Sequence, residues 1–297
     1  MQPAVGRQCY LLHVITPPFP SLPRFAAACL AGLSLMAQAQ STMLSDEVPF
    51  ITSPDNVTLE MLQAAQVGPS DHVIDLGSGD GRIVIVAAKR FGATGLGVEI
   101  VPDLVEKSLR TAREAGVADK VNFKVQDLFQ TDLSPATVVT LYLLPEFNLR
   151  LRPSLLALKP GTRIVSHDWD MGDWKPDRTT VLQVPDKKVG REKSSKVHLW
   201  IVPARIEGLW CGSGLLRDFS LRIQQHFQEI DATLTRGDRA REIQGRMSGA
   251  VLRTQSTRVG SLEITQEGTQ LRITGGDGSL AMARGATFSR TQGAACR

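Results

Sequence analysis

The chain reads as an open α/β sheet, doubly wound, Rossmann-like and mostly parallel with seven strands, followed by a small all-β domain. Three observations predict this. Residues Val73 to Gly81 run V-I-D-L-G-S-G-D-G, a buried strand entering a glycine turn that opens a helix at Arg82. Strand-like apolar runs then alternate with helical patterns as far as Ser166, the arrangement that parallel sheets require. Beyond about Glu207 apolar residues recur at period 2 between turn signals, as in antiparallel strands.

The elements follow in order. Apolar residues at helical spacing over Val57 to Ala65 predict a helix after the linker prolines Pro49 and Pro54. Strand one is His72 to Leu76, and the helix behind it ends near Phe91 and Gly92. Strand two is Thr94 to Val98. A helix from about Asp103 to Ala115 follows, with Gly116 suited to its C-terminal cap. Strand three is Val121 to Val125 and strand four Thr137 to Tyr142. A helix from about Phe147 to Leu158 is interrupted or kinked at Pro153, which has no N–H to donate. Strand five is Arg163 to Ser166. Two further β runs, Thr179 to Val184 and Val197 to Val202, lack a helix between them and predict an antiparallel hairpin at the sheet edge. In the last 90 or so residues, Phe219, Leu221, Ile223 and Phe227 share one parity. Further apolar pairs, among them Leu271 with Ile273 and Leu280 with Met282, predict a small antiparallel sheet or barrel. Its role stays open between binding substrate or envelope material and capping the first domain.

The 297 residues suffice for two domains. Apolar residues at 42% and charged residues at 22% exclude a disordered chain. The formal charge is +4, and removing Arg7 and Arg24 leaves 32 basic against 30 acidic residues. That balance, with no basic stripe interleaved with aromatics, argues against a nucleic-acid partner. Arg24, the apolar run Phe25 to Ala37 and the A-x-A site Ala37-Gln38-Ala39 predict a signal peptide over residues 1–39. The run of about 13 residues is short of the roughly 20 that span a bilayer, so the mature chain is read without a transmembrane span. The expected location is periplasmic or secreted, or cytoplasmic if translation starts further along. The mature chain keeps Cys211 and Cys296, which in an oxidising compartment can close a loop of about 85 residues. No C-x-x-C or His/Cys cluster predicts a metal.

The glycine turn carries the chemistry. Gly77, Gly79 and Gly81 leave bare backbone against which a ligand can lie, and Glu99 ends the next strand where ribose hydroxyls are bound. Dinucleotide enzymes space these glycines G-x-G-x-x-G and seat a pyrophosphate on the helix N-terminus. Here the spacing is G-x-G-x-G, with carboxylates at Asp75 and Asp80. Acids at the helix mouth oppose a pyrophosphate and tolerate an ammonium and a sulfonium, which favours S-adenosylmethionine (SAM) over NAD.

This pattern resembles motif I of class I SAM-dependent methyltransferases, and the order of elements from about Val48 to Ala204 is similar to their fold. The stretch Val73 to Ala88, with D-x-G-x-G-D-G-R, also resembles the protein-lysine methyltransferases related to the mitochondrial enzyme acting on the c-ring protein of ATP synthase. The period-2 patterning makes residues 205–297 the β domain, and the resemblance implies a methyltransferase domain over residues 40–204. It implies that Asp75 and the backbone of Gly77 and Gly79 hold the methionine part of SAM. Glu99 then receives the ribose hydroxyls, and Asp127 meets the adenine amino group. The methyl acceptor is expected over Tyr142 to Glu146 and Ser166 to Trp174. There Trp169, Trp174 and their neighbouring acids either hold a cationic amine or cover the core and cap turns. His167 or Asp168 is the candidate proton acceptor, and Tyr142 either enters the site or packs beneath it. Tyr-Leu-Leu-Pro stands where many amino-directed relatives carry N/D-P-P-Y, which argues against an adenine or glutamine acceptor, and the resemblance implies a protein lysine amine instead. The alternative is a non-catalytic SAM-fold binding protein of the cell envelope.

Overall fold

The computed structural model describes residues 51–188 and 192–296, so the signal-peptide reading of residues 1–39 lies outside the described residues. After helix α1 (Asp55–Ala64), the chain alternates through β1 (His72–Leu76), α2 (Arg82–Phe91), β2 (Thr94–Glu99), α3 (Pro102–Glu114), β3 (Val121–Val125), β4 (Val138–Leu141), α4 (Pro145–Leu156) and β5 (Arg163–His167). The hairpin β6 (Arg178–Gln183) and β7 (Ser194–Ile201) completes a seven-stranded sheet of order β3-β2-β1-β4-β5-β7-β6. Strands β1 to β5 pair in parallel. β7 lies antiparallel to β5, and β6 to β7.

The alternation of side chains along the strands divides the core between the two faces. Val73, Val138, Val165 and Val197 pack with α1 and α2 on one face. Ile74, Val139, Leu141, Ile164 and Trp200 pack with Leu151 and Leu155 of α4 on the other. Each fully buried aliphatic side chain contributes about 1.5–3 kcal/mol of hydrophobic stabilisation. α2 ends at Gly92 and α3 at Gly116, both at positive φ where a side chain would be strained. Pro153 does not interrupt α4, which runs through it to Leu156. The carbonyl that loses its donor belongs to Leu149, on an exposed turn where water can replace the bond.

The C-terminal strands, β8 (Gly208–Gly212) to β15 (Thr287–Thr291), form a closed eight-stranded antiparallel barrel. Closure removes the sheet edges that would otherwise need protection. Leu221, Ile223, Ile230, Met247, Ile264, Leu271, Ile273 and Phe288 fill its interior. Two expectations fail here. Leu280 and Met282 lie in a 3-10 helix, Gly278–Ala283, and Met282 is exposed. Phe227 leaves the strand parity at a turn with φ +54° and stacks on Trp174 beside the sheet, ring centroids 6.0 Å apart. Cys211 and Cys296 form a disulfide that ties β8 to the tail after β15.

The barrel docks at the amino ends of the sheet strands. The Ala204 N–H donates to the Gly249 carbonyl (2.8 Å), and Arg246 pairs with Asp177 (3.0 Å). A side chain at Gly249 would meet the backbone of Gly161, just before β5. The carboxyl ends of β1 to β5, where ligands bind in open α/β sheets, face away from this junction.

Candidate active site

At the carboxyl end of β1 the chain turns through Gly77, Gly79 and Gly81, at φ +74°, +53° and +76°. The N–H groups of Gly77 and Ser78 both donate to the Val98 carbonyl at 2.9 Å, which hangs the turn on β2. A Cβ at Gly77 would meet Leu143 at 2.9 Å. One at Gly81 would meet the Phe123 ring and Ser108 at 2.7–2.8 Å, so glycine there lets the turn seat against β3 and α3. Glu99 locks the arrangement. One of its oxygens accepts from Gly79 N–H (2.9 Å), the other from Ile100 and Val101 N–H (2.8 and 3.1 Å). The carboxylate that ends β2 is thus fixed in orientation beside the turn.

The other acids differ in what holds them. Asp75 is buried, and among the described residues its carboxyl receives a hydrogen bond from Thr140 (2.7 Å). Burial pushes its pKa up to about 7 against the Thr140 bond, with the charges of Glu99 and Asp80 adding to the rise. Asp80 is gripped by Arg82 through two side-chain contacts (3.0 and 2.8 Å). Although burial opposes ionisation, the Arg82 bonds and charge and then Lys107 hold Asp80 below the usual carboxylate range. Asp80 therefore neutralises Arg82, which also donates to the Ser53 carbonyl (2.9 Å) and so straps the segment before α1 to the turn. Asp127 caps a 3-10 turn, accepting from Phe129 N–H (2.9 Å) and the Gln130 amide (3.2 Å).

The segments expected to meet the acceptor lie beyond β4 and β5. The Tyr142 ring stacks on His167, centroids 3.9 Å apart and planes at 26°. His167 is buried with both nitrogens in use, Nδ1 with the Ser53 hydroxyl and Nε2 with the Ser195 hydroxyl, each at 2.9 Å. Desolvation lowers its pKa to about 4, against the pull of Asp168 and with the help of Lys187, so the ring is neutral near pH 7. Both ring nitrogens are thus hydrogen-bonded, and the ring braces Tyr142 by stacking on it. Burial and then the Asp168 charge raise the pKa of Tyr142, which stays a neutral hydroxyl. Asp168 accepts from Lys196 N–H (2.9 Å) and pairs with Lys187 (2.7 Å). Desolvation is outweighed by these partners, and the carboxylate is held ionised.

The two tryptophans part ways. Trp174 lies in the core beside Trp200 and Phe227, whereas Trp169 is 41% exposed on the rim. The acids near them are committed locally, Asp170 to a turn with Gly172 N–H and Asp173 to Arg152. Sequence reasoning missed Ser53, Ser195, Thr140 and Lys187. Each meets its partner only across the folded sheet, and no local pattern marks it. Arg82 stood within the D-G-R stretch but without an assigned partner.

These residues fit SAM. A buried carboxyl with one protein donor, bare backbone at Gly77 and a fixed acid at the end of β2 suit a cationic ligand with a ribose. When bound, SAM supplies a methyl group already activated on sulfur. Sheet order and site together define a class I SAM-dependent methyltransferase. Residues 75–178 match the family model described as the ANTKMT methyltransferase domain. A protein-lysine N-methyltransferase of Saccharolobus islandicus (strain REY15A) is 38% identical over 157 residues, covering 52% of this chain and 94% of its own. The adenine nucleotide translocase lysine N-methyltransferase of Mus musculus is 30% identical over 131 residues, 44% of this chain and 57% of its own length. A solved Salinibacter ruber chain described as an RNA methyltransferase, in complex with S-adenosyl-L-homocysteine, is 52% identical, covering 52% of this chain and 96% of its own at a TM-score of 0.47. The chain belongs to the SAM-dependent methyltransferase family that includes the archaeal protein-lysine enzyme.

Proposed function

We propose that the protein transfers the methyl group of SAM to a lysine amine of a protein. The observation that carries this is the archaeal protein-lysine relative, matched over nearly its whole length. The site supports it. Asp75, Gly77, Gly79 and Glu99 form the cofactor cradle, Asp127 borders its adenine end, and Asp80 keeps Arg82 in place at the turn. Transfer needs an aligned, neutral amine more than covalent help. Tyr142, braced by His167, offers an aromatic face and a neutral hydroxyl to the acceptor. Asp168 supplies the negative charge that draws an ammonium to the rim, and Trp169 a second aromatic face.

The proposal extends to location. The Cys211–Cys296 bond supports an oxidising compartment, in line with a signal peptide over residues 1–39 and a periplasmic or secreted protein. Fractionation of cells with N-terminal sequencing of the mature chain tests this. Export predicts a start near Gln40 in the envelope or medium, and a full-length cytosolic chain contradicts it.

Incubation with methyl-labelled SAM, a lysine-containing polypeptide and a structured RNA, with products read by mass spectrometry, tests the activity. The expected product is methyl-lysine. Label in the RNA alone overturns the lysine reading while leaving the methyltransferase reading intact.

A further inference from the structure

The acceptor rim already holds an ammonium group, and it belongs to this chain. The β6–β7 connection emerges at the carboxyl end of the sheet, because Gln183 pairs with Ser194 and Val197 with His167. From it Lys187 turns inward. Its Nζ lies 2.7 Å from Asp168 Oδ2 and donates to the Ser194 carbonyl at 2.6 Å. The side chain is only 14% exposed, whereas the adjacent Lys188 is exposed. Asp168 is fixed to receive it. The backbone there is left-handed at φ +65°, a costly conformation for a residue other than glycine, and Lys196 N–H holds the second carboxylate oxygen. The same carboxylate stands 3.5 Å from His167, whose ring supports Tyr142.

A carboxylate beside the His167 ring, filled by a primary ammonium on a four-carbon stem, is a place where a lysine side chain already fits. We propose that Lys187 is a resident pseudosubstrate. Its ammonium occupies the place where the acceptor lysine first docks, and binding of an acceptor displaces it from Asp168. The inference rests on the lysine reading and adds a built-in competitor to it. The competition is well matched. The pair is mostly buried, 14% and 16% exposed, so exchange is favourable only for a group that keeps Asp168 paired, and an acceptor ammonium is identical to the one it displaces.

Steady-state methylation of a lysine-containing polypeptide by the full chain tests this, with SAM affinity measured alongside. Lys187→Met removes the competitor and should lower KM several-fold. Lys187→Arg keeps a cation on Asp168 and should leave KM at or above the wild-type value. The exposed neighbour Lys188→Met should match wild type. Asp168→Asn should raise KM, and the gain from Lys187→Met should vanish in that background. SAM affinity should be the same in all. An unchanged or raised KM in Lys187→Met overturns the proposal. So does a fall in kcat that Lys187→Arg restores, since the pair would then be a structural brace. A wild-type protein that binds SAM but yields no methyl-lysine is a separate result, and it overturns the lysine reading itself.

Discussion

Three residues of the proposed site each make a distinct prediction. Glu99 accepts from three backbone N–H groups, and the proposed function has it close the cofactor cradle. Glu99→Ala should lower SAM affinity by tenfold or more in calorimetry, on the order of 1.4 kcal/mol at least. Asp75 has a raised pKa, so its contribution to stability is fully present below about 4 and is lost as pH rises through about 7. Stability of the ligand-free protein should fall across that window, and Asp75→Asn should flatten the fall. A cationic ligand favours the ionised form, so SAM should bind more tightly as pH rises towards 7, a trend the Asn variant lacks. His167 has the opposite sign. Its folded pKa is depressed to about 4, so stability is lost as pH falls from its ordinary 6.5 towards that value. Thermal melts of wild type and His167→Phe between pH 4 and 7 should diverge in that sense. Asp75, the glycines and Glu99 were legible because one strand–turn–helix contains the pattern. The neutral, doubly bonded state of His167 was not, since Ser53 lies 114 positions away and Ser195 28.

Among the elements, α4 positions the stretch after β5 where the acceptor is proposed to dock. Asn148 is buried on it and donates to the carbonyls of Trp169 and Asp170 (3.2 and 3.3 Å), while Arg152 one turn on donates to that of Met171 (2.9 Å). The polar stretch after β5 is thereby pinned along the helix. Asn148→Leu leaves two carbonyls without that donor and should cost about 1–3 kcal/mol in urea unfolding, with acceptor KM raised more than SAM affinity is weakened. Period and turn chemistry made the helices and strands of the sheet readable. They failed where a single side chain decides. The sequence marks Trp169 and Trp174 alike, yet only Trp174 packs against Trp200 and Phe227. Leu280 and Met282 match a strand by parity but have no partner strand, because β15 already pairs with β14 and β8.

At the scale of the whole molecule, the barrel and the glycine turn with Glu99 sit at opposite ends of one sheet. The barrel grips the amino ends through Phe227, Gln228 and Arg246, and Gln228 donates to the Lys175 carbonyl. Replacing Cys211 and Cys296 by serine should cost up to about 4.6 kcal/mol of stability in the chain-entropy account of a loop this long. The same variant should bind SAM as wild type does, because the bond lies in the barrel, remote from Gly77 to Glu99. Period-2 patterning predicted an all-β unit without deciding between sheet and barrel. Closure depends on β8 reaching both β9 and β15, a pairing across nearly 80 residues that no local signal encodes. The measurement that tests the account most directly is methyl transfer by the purified full chain from labelled SAM to a lysine-containing polypeptide, beside Glu99→Ala. The account predicts methyl-lysine that the variant fails to make. Saturable SAM binding with no methyl on any lysine would contradict it.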